Sequence, residues 1–173
     1  MKENSNTLED IYIKYKKDIY SYLYYRTSNK DTAEELCHEV FLRAFKAFSG
    51  FKGKSSVKTW LYSIAHNAYV TWYKREIRYD MVSINTSVIE EIESYDGQPE
   101  AAVESIDNRQ AVLRVLNDMK DEYKNVLVLS EIQQLSYEEI ANTLSWDMSK
   151  VKTTLYRARI QFKLKYSKEG DCQ

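Results

Sequence analysis

The run from Ser149 to Lys168 carries Lys150, Lys152, Arg157, Arg159, Lys163, Lys165 and Lys168, and not one Asp or Glu. Apolar residues recur through it at helical steps, Met148, Val151, Leu155, Ala158 and Phe162. On a helix the opposite face then holds Ser149, Lys152, Thr153, Tyr156 and Arg157, with Lys150 and Arg159 on its flanks. Ammonium and guanidinium groups attract phosphates, and Arg, Lys and Thr near the start of a helix can reach base edges in a major groove. A second stretch, "FKGKSSVKTWLYSIAHNAYVTWYKR" from Phe51 to Arg75, interleaves cations with aromatic rings. Aromatic faces stack on unpaired bases for about 1–3 kcal/mol each while Lys and Arg follow the backbone. Duplex DNA needs no such platform, so this stretch points to flipped or melted bases. The same rings can serve a protein core instead. That role suits Trp60 best, and for Phe51 and Trp72 both remain open.

Other chemistries lack their residues. "GFKG" is too short for a phosphate-cradling loop and follows a helix-like segment rather than a strand. His38 and His66 fall on separate segments with no Cys or carboxylate at metal-ligand spacing, and no nucleophile elbow is present. The pairs Glu34–Glu35 and Glu138–Glu139 stand at helix starts, where the backbone dipole favours carboxylates. No enzyme, metal or cofactor is expected. Cys37 and Cys172 suggest no disulfide framework, which fits a reducing compartment. "MKENSNTLED" has no signal-peptide character, and no apolar run approaches the roughly 20 residues of a membrane span. These features predict a cytoplasmic protein.

The basic helix needs a partner to position it. In "LSYEEIANTLSWDMSKVKTTLYRAR", Ile140, Ala141 and Leu144 share a face, and Ser136 with Glu139 makes a capping box. A short helix over about Tyr137–Leu144, a turn of roughly four residues, and a second helix capped by Ser149 or Asp147 read as a helix-turn-helix. Upstream, Val112, Leu113, Leu116, Met119, Tyr123, Val126, Leu127, Leu129 and Ile132 supply a core for it. At the other end, Ile11, Tyr12, Tyr15, Ile19, Tyr22 and Leu23 form one stripe. A helix from Lys30 to Phe48, capped by Asp31, buries Ala33, Leu36, Cys37, Val40, Phe41, Ala44 and Phe48. "SGFKGKSS" breaks it, and Ser55 or Ser56 caps a third helix that turns Leu61, Ile64, Ala65 and Ala68 inward.

The formal net charge of −1 hides a segregation. Residues 80–107 hold many carboxylates and no Lys or Arg, whereas Lys52–Arg78 and the C-terminal helix are basic. Two basic modules across an acidic, irregular stretch suggest two contacts with one polyanion. The fold class expected is all-α, with two small helical domains, 1–79 and 108–168, joined by a flexible acidic linker over 80–107, and a tail at 169–173.

These motifs, in this order and over nearly the whole chain, resemble the extracytoplasmic-function group of bacterial sigma factors in the sigma-70 family. "DTAEELCHEVFLRAFKAF" is similar to the helix that docks on the clamp coiled coil of the polymerase β′ subunit. The Phe51–Arg75 stretch resembles the −10 element reader and melting segment, and the helix-turn-helix resembles the −35 element reader. The resemblance implies a sigma2-like bundle and a sigma4-like helix-turn-helix. Its partners would be core RNA polymerase (β′ clamp and β flap), promoter DNA and, in some members, an anti-sigma factor, with no direct membrane insertion. It assigns polymerase contact to Asp31, Glu35, His38, Glu39 and Arg43. It assigns the −10 element to Phe51, Lys52, Lys54, Ser55, Ser56, Val57, Thr59, Trp60, Ser63, His66, Asn67, Lys74 and Arg75, with Phe51, Asn67 and the Lys52–Val57 loop around one flipped base. It assigns the −35 element to Ser130, Ser149, Lys150, Lys152, Thr153, Tyr156, Arg157 and Arg159. This chain departs from the common pattern at His38 (usually Gln), Lys150 (Thr), Thr154 (Arg) and Ser130 (Arg), and Trp146 is unusual in the turn. A two-domain regulator of the LuxR type would share the helix-turn-helix but would need neither "TWLYSIAHN" nor the docking helix. An all-helical adaptor would leave both basic segments without a role.

Overall fold

The computed structural model describes residues 7–82 and 102–170, with side chains over 7–78 and 108–168. Most of the expected linker, residues 83–101, lies outside the described residues, as does Cys172. The described chain is helical, with no strand among its residues.

Local chemistry sets the helix ends. Helix α1, Leu8–Thr27, opens on a capping box in which Thr7 and Asp10 satisfy each other's backbone N–H groups. It ends at Ser28, whose φ of 55° is left-handed and whose N–H reaches Tyr24 O. The chain restarts at once. Asn29 is extended and its Oδ1 accepts from Thr32 N at 2.8 Å, so Asn29, not Asp31, caps α2, Lys30–Ala47. Asp31 falls instead in the first turn, where its charge still complements the helix dipole. A 3₁₀ turn, Phe48–Gly50, leads into the loop, where Gly53 has a φ of +65° that a side chain would strain. Ser56 then caps α3, Val57–Val82, its Oγ accepting from Thr59 N at 3.0 Å. The buried residues are those of the apolar stripes: Ile11, Ile19, Tyr22 and Leu23 from α1, Ala33, Leu36, Cys37, Val40, Phe41 and Ala44 from α2, and Leu61, Ala65 and Ala68 from α3. Phe48, expected among the buried set of α2, is only partly covered, because the helix gives way to the tighter turn there.

The second half runs α4, Ala102–Asn117; α5, Asp121–Leu127; a π-helical turn, Val128–Ile132; α6, Tyr137–Leu144; and α7, Met148–Gly170. Ser136 and Glu139 form the expected capping box. Helix α6 closes at Ser145, with a φ of 54°, and Trp146 N–H returns to Ala141 O. The turn is three residues long, and Asp147 rather than Ser149 caps α7, its Oδ1 accepting from Lys150 N at 2.8 Å. Val151, Leu155 and Ala158 are buried, but Met148, the first residue of α7, remains 38 % exposed because the packed face begins one turn later.

The halves do not hang apart. Helix α3 packs against α6 and α1 against the π-helical turn, so one continuous core runs through both.

Candidate nucleic-acid interface

Three surfaces receive the residues singled out from the sequence. On α2, Asp31, Glu35 and His38 lie along one exposed stripe, one helical turn apart. Glu39 and Arg43 are half-covered and paired with each other at i and i+4. Leu42 continues the stripe and is 59 % exposed. The sequence reading passed over it, although its place one turn after His38 and off the stripe of Phe41 and Ala44 already set it apart from the core.

Beyond the Gly53 loop three rings gather. Phe51 lies 4.8 Å from Trp60 between centroids, and Phe48 sits 6.4 Å from Phe51 and 6.2 Å from Trp60. All three are partly covered, so each ring supports its neighbours and still shows part of its surface. Lys52 and Lys54 are exposed on the loop beside them, with Ser55 and Val57 half-covered. Along α3, Trp60, Ser63, Asn67 and Lys74 recur at helical spacing; Asn67, Lys74 and Arg75 are exposed. Ser56 and Thr59 serve the helix start instead, their hydroxyls 2.9 Å apart and Thr59 buried. Trp72 packs on Tyr69 at 5.7 Å.

His66 turns away from this group. Asn125 in α5 accepts a hydrogen bond from Tyr22 OH through Oδ1 at 2.9 Å, so its amide NH₂ faces His66 Nδ1 at 3.3 Å. An NH₂ can only donate, which fixes Nδ1 as the acceptor and the imidazole as neutral. Burial, seconded by the Arg26 charge, pushes this imidazole down to about 4. The structure thus places His66 where the two halves meet rather than with the exposed residues of α3.

On α7, Ser149, Lys152, Thr153, Tyr156 and Arg157 are all exposed, Tyr156 at 67 %. They lie opposite Val151, Leu155 and Ala158, which anchor the helix. The flanking cations are engaged within the protein. Lys150 lies 3.1 Å from Glu122 and 3.9 Å above the Trp146 ring. Arg159 donates Nε and Nη2 to Glu131 Oε1 at 3.0 and 2.7 Å and Nη1 to Tyr137 OH at 3.3 Å. Those bonds hold its guanidinium more strongly in the charged form. Ser130, in the π-helical turn, is half-covered and donates to Glu131. Thr154 is buried, which removes it from the exposed face.

Among the described residues no group of His, Cys, Asp and Glu could hold a metal ion, and no helix is long and apolar enough to cross a membrane. The arrangement offers binding surfaces of opposite sign: a carboxylate-bearing stripe on α2, and cationic, partly aromatic surfaces on the loop, α3 and α7.

Comparison with known proteins agrees in order and extent. The family model for sigma-70 region 2 matches residues 11–79, and that for sigma-70 region 4 matches residues 109–162. The RNA polymerase sigma factor YlaC of Bacillus subtilis is 38 % identical over 169 residues, covering 98 % of this chain and 97 % of the relative. The ECF RNA polymerase sigma factor SigX of the same organism is 29 % identical, over 87 % of this chain and 79 % of its own. Among solved structures, the sigma factor RpoE from Bartonella quintana, in complex with the anti-sigma factor NepR, superposes with a TM-score of 0.74 over 92 % of this chain and 96 % of that one; at 18 % identity this likeness is one of fold. With its two helical regions, its helix-turn-helix and a relative that spans nearly its whole length, the chain belongs to the sigma-70 family of RNA polymerase sigma factors, in the extracytoplasmic-function group.

Proposed function

We propose that this sigma factor binds core RNA polymerase through α2 and reads a promoter with two separate surfaces. The stripe of Asp31, Glu35, His38 and Leu42, with Glu39 and Arg43 beside it, docks on a basic or mixed surface of the β′ clamp. The Phe51–Trp60 ring group, Asn67 and the Lys52–Val57 loop hold a base of the −10 element, with Ser63, Lys74 and Arg75 following the strand. The exposed face of α7 enters the major groove at the −35 element, and Lys152, Thr153, Tyr156 and Arg157 make the contacts. Domains 1–79 and 108–168 divide these tasks, and the second also meets the β flap. The chain acts in the cytoplasm by binding, with no reaction of its own. An anti-sigma factor is a further partner, supported by the sigma factor of similar fold that was solved in complex with one.

The single observation that carries this reading is the face of α7. Five polar or cationic residues stand exposed on a helix whose opposite face buries Val151, Leu155 and Ala158, preceded by a capped short helix at a tight turn. The test is transcription by core polymerase with and without the purified chain, on duplex promoters bearing candidate −10 and −35 elements. Promoter-dependent transcripts that need the added chain support the reading. Duplex binding without any gain in transcripts would favour a regulator that is not a polymerase subunit.

A further inference from the structure

Two residues that set this chain apart from the common pattern, Trp146 and Lys150, meet on one flank of α7. Trp146 stands in the turn of the helix-turn-helix, and Lys150 is in the first turn of the helix that follows. The Lys150 ammonium lies 3.9 Å from the centroid of the Trp146 ring and 3.1 Å from Glu122 Oε1, in the first turn of α5. The Lys150 side chain is still 45 % exposed.

The backbone on both sides of this contact is fixed. Ser145 closes α6 in a left-handed conformation, and Trp146 N–H bonds to Ala141 O at 2.9 Å. Asp147 Oδ1 accepts from Lys150 N at 2.8 Å. The Trp146 ring packs partly on the core, so it offers the ammonium a seat of set position. Among aromatic faces, indole attracts a cation best. A lysine on an open surface loses rotamer freedom when a ligand immobilises it, and that loss weakens binding. Lys150 has given up much of this freedom before any ligand arrives. An ammonium has three N–H groups. One turns to Glu122 and the ring lies against another side, which leaves donor capacity for an acceptor from outside. The acceptor that a duplex presents to the flank of a helix in its major groove is a backbone phosphate. Arg159, on the other flank, is placed differently. It lies nine residues beyond Lys150, about 14 Å further from the leading end of α7, and gives three of its N–H groups to Glu131 and Tyr137.

We infer that Trp146 is a positioning residue for −35 recognition: its ring, with Glu122 beside it, holds the Lys150 ammonium ready for one phosphate at the edge of the groove, and this contact sets the angle at which α7 enters. The inference rests on the promoter reading proposed above and adds to it two residues, Trp146 and Glu122, that need touch no base. Phosphate contacts fix register and orientation, while base edges carry the sequence. A loosened Lys150 therefore costs affinity for every sequence. It also blurs discrimination at the bases that Lys152, Thr153, Tyr156 and Arg157 face, because those side chains then arrive at a less fixed angle.

The test is a double-mutant cycle on the full chain, read by fluorescence anisotropy over a salt series on a −35 duplex and on its single-base variants. Far-UV circular dichroism checks that each protein is folded. Lys150→Met should weaken binding to all sequences several-fold and lower the slope of log K against log salt by about one. Trp146→Leu should bind roughly two- to fivefold more weakly and lose part of its base preference, with the salt slope unchanged. Trp146→Phe, which keeps a ring face, should recover most of that loss. Trp146→Leu combined with Lys150→Met should bind as Lys150→Met does, because the ring acts through the ammonium. If Trp146→Leu loses its helical signal, the cycle is run with Trp146→Met, which fills the space without a ring face. A Trp146→Leu loss that is just as large in the Lys150→Met background means that the ring serves the fold alone, and overturns the inference. So does an unchanged salt slope in Lys150→Met, since no phosphate is then held there. Lys152→Ala and Arg157→Ala separate this inference from the reading beneath it. If they weaken duplex binding and Lys150→Met does not, the positioning role alone has failed. If none of these variants changes affinity or preference, α7 does not read the −35 element and both fall.

Discussion

Arg26 and Asp121 meet across the chain's midline with unequal exposure: the guanidinium is fully buried, while the carboxylate 2.9 Å away is 42 % exposed. The pair is thus a buried cation capped by a half-wet anion. Tyr69 completes it, with its ring beneath the guanidinium and its hydroxyl on the carboxylate. These two roles can be separated. Tyr69→Phe removes only the hydrogen bond and is expected to cost about 1 kcal/mol. Tyr69→Leu also removes the ring face and should cost about 1–2 kcal/mol more. Urea unfolding of the three proteins reads the difference; equal losses in both variants would deny the ring any part in holding Arg26.

The same cluster makes stability depend on pH with a definite sign. His66 is neutral in the folded chain at neutral pH, with its imidazole at about 4 against the ordinary 6.5. Burial is the main cause, and the groups facing it across the cluster are Arg26 from α1 and Asp121 from α5; the Arg26 charge adds to the depression and Asp121 offsets part of it. The unfolded chain therefore binds a proton that the folded chain refuses. The contribution of His66 is full above 6.5, falls as pH drops through the window from 6.5 to about 4, and levels off below. Between pH 7 and 5 the loss should be about 1–2 kcal/mol. His66→Gln should flatten the stability profile over that interval while the parent declines. A parent whose stability is constant from pH 7 to 5.5 would contradict the buried neutral state.

Much of the local architecture can be read from the sequence, because its causes lie within a few residues. The Ser136–Glu139 box, the spacing of Ile140 and Leu144, and the stripe of Val151, Leu155 and Ala158 are all encoded over one or two turns. The cap of α2 was misplaced because Asn29 and Asp31 are both capping residues. Only the left-handed closure at Ser28 decides between them. The polar contacts between the two halves are of another kind. Tyr22 with Asn125, Arg26 with Asp121, and Tyr62 with Gln133 are 103, 95 and 71 residues apart. No periodicity links such pairs. Tyr22 and Tyr62 also fit the apolar rhythm of their helices, which conceals the work of their hydroxyls. Resemblance likewise carries His66 and Arg159 with the DNA-facing residues, whereas their partners here, Asn125 and Glu131, belong to other elements.

On α7 the structure separates free cations from engaged ones. Lys152 and Arg157 are exposed on the open face, while both Nε and Nη2 of Arg159 are taken by Glu131. Arg157→Ala should weaken binding to a −35 duplex by about 1–3 kcal/mol and relax preference at one base pair if it reaches a base edge. Lys152→Ala should weaken all sequences alike and lower the salt dependence if it reaches a phosphate. Arg159→Ala should cost less in DNA affinity than Arg157→Ala. Glu131→Ala, which frees the guanidinium and removes a nearby negative charge, should strengthen DNA binding. Fluorescence anisotropy across a salt series measures all four. An Arg159→Ala loss equal to that of Arg157→Ala would show that DNA displaces Glu131.

The ring group at the start of α3 gives the last test. Phe51 lies against Trp60 at 4.8 Å, Gly53 turns the loop beside it, and Asn67 stands exposed on the helix that Ser56 caps. An aromatic face can stack on an unpaired base, and the Asn67 amide can both donate to and accept from its edge. Holding one base this way offsets the few kcal/mol of unstacking that melting requires. Phe51→Ala and Asn67→Ala should therefore slow open-complex formation on duplex promoters, with a stacking loss of about 1–3 kcal/mol for Phe51→Ala. A template mismatched at the −10 element has no pairing to break, so it should restore part of the lost transcription without restoring base preference. Permanganate footprinting and single-round transcription on both templates read these effects. Phe51 also supports Trp60, so the far-UV signal of Phe51→Ala must first match the parent. If either folded variant melts the duplex promoter as fast as the parent, that residue shapes the loop and holds no base.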